Sequence, residues 1–153
     1  MASEVVLKEA GPQWTVSLRE IIPGFRSVGV LAGNLREDFG PLASEGMWMS
    51  LWHDREHKDQ NIDIEVAVCL RQAVDMPPPV DVRQLPSTTV ASVVHHGAFV
   101  RIGEAYQALL HWIEANQYHP SGAPRNLYLR VNMPVNHEDE SNVTEIQIPV
   151  EKS

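Results

Sequence analysis

Residues 14–39 read WTVSLREIIPGFRSVGVLAGNLREDF, and residues 88–113 read TTVASVVHHGAFVRIGEAYQALLHWI. Laid over each other at a spacing of 74, the two stretches match without a gap. Thr15 meets Thr89, Val16 meets Val90, Phe25 meets Phe99, Gly29 meets Gly103 and Leu35 meets Leu109. Val28 opposite Ile102 and Phe39 opposite Ile113 keep the apolar pattern in step. With small insertions the register continues, Leu51-Trp52 falling on Leu127-Tyr128 and Ile64-Glu65-Val66 on Thr144-Glu145-Ile146. Residues and element order repeat together, so the chain reads as one folding unit used twice. The copies span about residues 5–70 and 80–151 of a single domain, 1–153.

Within the first copy, Val5 to Lys8 and Gln13 to Ile22 predict strands around the Gly11-Pro12 turn. The second of these alternates, with Trp14, Val16 and Leu18 on one side and Thr15, Ser17 and Arg19 on the other. Pro23-Gly24 ends it. A helix follows from Arg26 to Phe39, its Val28, Leu31, Leu35, Phe39 and Leu42 forming an i, i+3/i+4 stripe, and Gly40-Pro41 stops it. Strands from Met47 to His53 and Ile62 to Leu70 flank a charged hairpin, Asp54 to Asn61. In the second copy, strands Val80 to Gln84 and Thr88 to His95 precede a helix from Val100 to Asn116. Strands Asn126 to Val131 and Val143 to Glu151 close it. Met76-Pro77-Pro78-Pro79, at the change of copies, predicts an extended polyproline connector. The expected fold is α+β: two pseudo-symmetric strand-helix-strand-strand units forming a largely antiparallel sheet with two helices and a central ligand groove.

Composition narrows the function. At 43% apolar residues the chain can bury a core. Its apolar runs are too short to span a bilayer, and Met1 to Gly11 lacks a secretory pattern. One cysteine, Cys69, permits no internal disulfide and reads as a core thiol. Cytoplasm is the expected compartment, with no membrane partner. The formal charge of −8, without a cluster of Lys and Arg, argues against direct nucleic-acid binding. The histidines do not form a metal signature. His53 and His57 fall in a predicted hairpin, and His95-His96 would point to opposite faces of a strand. No metal and no cofactor is expected.

The second copy carries a family resemblance. His96-Gly97-Ala98-Phe99, Ala105-Tyr106-Gln107-Ala108-Leu109, Trp112-Ile113-Glu114, Arg125-Asn126-Leu127-Tyr128 and Thr144-Glu145-Ile146-Gln147-Ile148-Pro149-Val150 resemble the GyrI-like effector-binding domain in order and spacing. The first copy agrees at 16–23, Leu51-Trp52-His53-Asp54 and 63–68. The similarity covers residues 4–151 and is greatest to the sensor half of MerR-type multidrug-responsive activators; AraC-type regulators use the same module. The resemblance implies two fused units about a pseudo-twofold axis, a ligand groove between them, aromatic walls and a buried acid. It points to Glu145 as that acid and Tyr128 as a wall.

Departures from the family pattern are Ala98-Phe99 for Pro-Tyr, Asn132-Met133-Pro134 for an Asp-Pro pair, and Cys69 for a proline. No helix-turn-helix precedes the domain, so two expectations stay open: a stand-alone sensor or binder, or the sensing part of a regulator with a fused or separate DNA-binding domain as partner.

Seven residues are the candidate ligand site: Glu145, Tyr128, Glu65, Trp52, Tyr106, Trp48 and Phe99. Strand alternation alone would put Glu145 on a wet sheet face; the resemblance puts it in the groove. If buried, it needs hydrogen-bond donors or a raised pKa. Glu65 is its repeat partner. Trp52 and Tyr128, at equivalent positions, could stack on a flat or cationic ligand or fill the core. Trp48 and its methionine neighbours suit a pocket or a core equally. Tyr106, on the second helix, could reach the groove. The leading expectation is a small-molecule effector-binding domain for amphipathic, aromatic or cationic compounds, without catalytic residues. The resemblance also allows a hydrolase of reactive natural products, with an acid as general base, and a gyrase-inhibitor-like protein-binding module.

Overall fold

The structure is a computed structural model that describes residues 4–25, 27–44, 46–54, 58–132 and 135–153. Its elements are β1 (Val6–Ala10), β2 (Gln13–Ile22), α1 (Ser27–Phe39), β3 (Trp48–Trp52), β4 (Ile62–Leu70), β5 (Asp81–Leu85), β6 (Thr88–His96), α2 (Ile102–Ala115), β7 (Tyr118–Pro120), β8 (Arg125–Arg130) and β9 (Val143–Lys152). The α+β class and the duplicated element order follow the repeat. Arg26, where the first helix was expected to start, lies outside the described residues, as do His57 with its part of the 54–61 hairpin and Met133-Pro134.

The chain divides into two compact units, Pro12–Pro86 and Ser87–Ser153 with Met1–Gly11. In the first, antiparallel pairing gives the strand order β3-β4-β2-β5. In the second it gives β1-β6-β9-β8, with β7 pairing with the last residues of β9. The leading strand of each predicted copy therefore belongs to the other unit: β1 pairs with β6, and β5 pairs with β2. The physical reason is pairing: each leading strand completes the edge beside the equivalent strand of the other copy. Pro86-Ser87 is accordingly a unit boundary, and the proline connector is not. At Pro78-Pro79 the chain turns, closed by the Val80 N–H donating to Pro77 O at 3.2 Å, instead of running extended.

Core patterning explains both helices. Leu31, Leu35 and Phe39 of α1 pack on Val16, Leu18, Ile64, Val66 and Val68, all buried. Leu109 and Ile113 of α2 pack on Val93, Ile146 and Ile148. Each fully buried aliphatic side chain contributes about 1.5–3 kcal/mol. Gly40 ends α1 at φ +59°, the left-handed region where glycine is strain-free, and Pro41 follows. Leu42, at the end of the expected stripe, sits in the short 3-10 turn after α1 and still packs on the core. At the end of α2 the Asn116 side-chain amide donates to Trp112 O at 2.8 Å.

The pairing also corrects the repeat spacing. Leu35/Leu109 and Phe39/Ile113 are equivalent buried helix positions at a spacing of 74, as expected. On the strands, Arg19 pairs with Glu65 and Val94 with Glu145, a spacing of 75. One residue of slip inverts the faces of a strand, so Ser17 is the counterpart of Ser92.

Candidate functional site

Two carboxylates anchor the two units. Glu65 on β4 pairs across the sheet with Arg19 and Leu51, and Glu145 on β9 with Val94 and Leu127. Their flanking residues Ile64, Val66 and Ile146 belong to the helix-covered cores. Alternation therefore puts both acids on the opposite sheet faces. In the first unit that face carries Thr15, Ser17, Met49, Leu51 and Ala67, all buried.

Glu65 is 3% exposed, and both of its oxygens are engaged. Ser17 Oγ donates to Oε2 at 2.5 Å and Arg83 Nε to the same atom at 3.1 Å. Arg83 Nη2 donates to Oε1 at 2.5 Å, where His53 Nε2 also stands at 2.8 Å. Burial raises the Glu65 pKa, but the bonds from Arg83, Ser17 and His53 outweigh it and hold the carboxyl below its ordinary range. Arg19 closes the next position by a two-pronged ion pair to Asp63, at 2.9 and 2.8 Å.

Glu145 is satisfied differently. Lys8 Nζ at 2.6 Å, Gln147 Nε2 at 2.7 Å and Ser92 Oγ at 2.8 Å all converge on Oε2. Among the described residues no donor meets Oε1. The side chain is 12% exposed, and the residues beside it on the same face, Val94 and Leu127, are apolar and half-buried. Burial raises the pKa, while Gln147, Lys8 and Ser92 lower it by more. The donors that a buried Glu145 needs are thus present. Lys8 and Arg83 are equivalent at the strand spacing of 75, as are Ser17 and Ser92.

The aromatic candidates form two equivalent pairs. Phe99 meets Tyr128 edge-on at 5.6 Å between centroids, and Phe25 meets Trp52 at 5.7 Å. His137 adds a third ring on Phe99, at 5.8 Å. Trp52 pairs with Ile64 and Tyr128 with Thr144, so register sends these rings to the sheet side away from Glu65 and Glu145. Trp52 packs on the first core, and its Nε1 is buried without a partner among the described residues. Trp48 donates its indole N–H to Ala43 O at 2.8 Å and packs on Phe39, a core position. Tyr106 packs on the second core, where burial raises its hydroxyl pKa.

Sequence reasoning missed Lys8, Arg83, Ser17 and Ser92 as partners of the acids. The serines were visible as polar positions on otherwise apolar strands. The basic residues were not, because each sits on a strand assigned to the wrong copy. Phe25 was legible as the counterpart of Phe99. An open cavity of about 1060 Å³ in the first unit, lined by Trp14, Cys69, Leu70, Arg71 and Gln84, contains none of the seven candidates. Cys69, expected in the core, is half-exposed there because the wall it lines is open.

A family model described as the GyrI-like small molecule binding domain matches residues 35–151. Among solved structures, the chain is similar to the C-terminal domain of EcmrR, at 28% identity and a TM-score of 0.86, covering 100% of both chains. Against EcmrR in its complex with DNA, identity is 28% and the TM-score 0.84. There the match covers 98% of this chain and 58% of EcmrR, so the chain spans little more than half of that protein. SAV2435 bound to tetraphenylphosphonium shares the fold at 16% identity and a TM-score of 0.63, over 97% of this chain and 94% of that one. A hydrolase from Listeria innocua shares it at 10% identity and a TM-score of 0.66, over 97% and 92%. No protein of curated function matches the chain.

Proposed function

The chain belongs to the GyrI-like small-molecule-binding domain family, and on that premise we propose that it recognises its ligand at Glu145. The recognising atom is Oε1, and the ligand is an amphipathic aromatic compound with a hydrogen-bond donor. One observation carries this reading: of the two equivalent acids, Glu65 has both oxygens occupied, whereas no donor among the described residues meets Oε1 of Glu145. Position by position, the first unit sets Arg19 where the second sets Val94. An ionic network seals the first acid; apolar, half-buried Val94 and Leu127 flank the other and would hold the ligand's hydrocarbon body.

Binding without catalysis is the reading these features support. A general base at neutral pH works best with a pKa near 7. The hydrogen bonds on Glu145 move its pKa the other way. Likeness to the EcmrR C-terminal domain, and EcmrR's presence in a DNA complex, support a role as the effector-sensing part of a transcription regulator. The DNA-binding domain would then be fused to the chain or separate from it. Of the other candidates, Phe99 and Tyr128 would offer a second aromatic surface, with Phe25 and Trp52 as its counterpart. Glu65, Trp48 and Tyr106 would hold the scaffold.

The test is titration of proflavine, a planar aromatic with amino donors, into the wild type and Glu145→Gln. A hydrogen bond to a charged group contributes about 1.5–3 kcal/mol, so the variant should bind about tenfold or more weakly. Equal affinity in the two proteins would remove Glu145 from the site.

A further inference from the structure

Lys8 lies on β1, a strand of the second unit that precedes everything the family model matches. Its ammonium sits 2.6 Å from Glu145 Oε2, and its side chain is 44% exposed. Arg83, its counterpart, grips Glu65 with two donors. Lys8, a point charge on a flexible stem, contacts Oε2, and no donor among the described residues meets Oε1. Arg125, opposite Gln147, places another positive charge on the same face.

We propose that Lys8 is a tethered counter-ion that sets the charge preference of the Glu145 site. This rests on the reading that Glu145 meets the ligand. With Lys8 in place the carboxylate is already neutralised on Oε2. A compound that donates an N–H or O–H can use Oε1 and leave Lys8 where it is. A permanent organic cation without a donor gains little from a neutralised carboxylate, and must displace Lys8 to face an uncompensated charge. Lys8 therefore selects donor-bearing compounds over permanent cations.

The experiment is calorimetric titration of tetraphenylphosphonium, a permanent cation, and triphenylphosphine oxide, a neutral compound of similar shape. The proteins are the wild type, Lys8→Met, Lys8→Arg and Lys8→Met with Glu145→Gln, each checked by circular dichroism. Lys8→Met should bind tetraphenylphosphonium about tenfold more tightly, as removal of one partly screened charge implies. Triphenylphosphine oxide should bind Lys8→Met and wild type alike, Lys8→Arg, which keeps the positive charge, should show no gain for tetraphenylphosphonium, and the double variant should lose the gain. Unchanged or weaker cation binding in folded Lys8→Met overturns the proposal, as does no binding by any of the proteins. A gain that survives Glu145→Gln overturns it too, because the effect would then be one of net charge. Proflavine titration of Glu145→Gln separates the two failures. If that variant loses proflavine affinity while Lys8→Met gains nothing, only the role of Lys8 falls.

Discussion

Ser17, Arg83 and His53 donate to Glu65 from three directions, and each bond favours the charged carboxylate. The unfolded chain lacks these donors, so there Glu65 titrates near the ordinary glutamate value, about 4.3. The native pKa is lower. Between the two values the unfolded state binds more protons, so stability is fully present above the ordinary value and is lost as pH falls through the native one. Urea unfolding at a series of pH values should show this as a decline beginning just above pH 4.3. In Glu65→Gln the decline should be shallower, with Glu145 and Asp63 still contributing, because their carboxyls are also held low. At neutral pH Glu65→Gln should cost about 1–3 kcal/mol, since Arg83 and Ser17 lose a charged acceptor. An unchanged urea midpoint would show that the network around Glu65 contributes nothing net.

Between elements, one close approach fixes where β3 meets β4. A Cβ built on Gly46 would lie 1.8 Å from the backbone oxygen of Cys69, and the Cys69 N–H donates to Met47 O at 2.9 Å just beyond. Backbone cannot yield there without breaking the ladder. Gly46→Ala should therefore cost about 1–3 kcal/mol, read as a lowered thermal midpoint; Gly33→Ala, whose Cβ meets nothing within 4 Å, is the control. Most elements were legible because their apolar periods are regular, as in Gln13–Ile22 and Ile62–Leu70, found at the bounds expected. Two features were not. Strand β7, three residues long, has too short a pattern to read. The exchange of β1 and β5 depends on pairing between segments far apart in the chain, which no local period encodes.

Across the molecule, duplication was the most legible feature, and it led to two equivalent acids whose surroundings it left incomplete. Glu65 and Glu145 were identified as equivalents, and their registers against Leu51 and Leu127 agree. Their inequality was out of reach, because it lies in Arg19 against Val94 and in how Arg83 and Lys8 reach the carboxylates. A spacing of 74 would have set Arg19 over Val93, a core residue, and hidden that contrast. The aromatic residues were paired correctly by repeat, but a one-residue alternation separates their faces from those of the acids. If Glu145 is the recognition point, a saturating ligand should also stabilise the fold, by about 2.7 kcal/mol at a hundred times its dissociation constant.

A crystal structure of the chain with bound proflavine would show whether Glu145 meets the ligand. An amino group of the ligand should lie within hydrogen-bond reach of Glu145 Oε1, with its rings against Val94 and Leu127 and Glu65 still bonded to Arg83 and Ser17. Proflavine seated elsewhere, with Oε1 still unbonded, would contradict it.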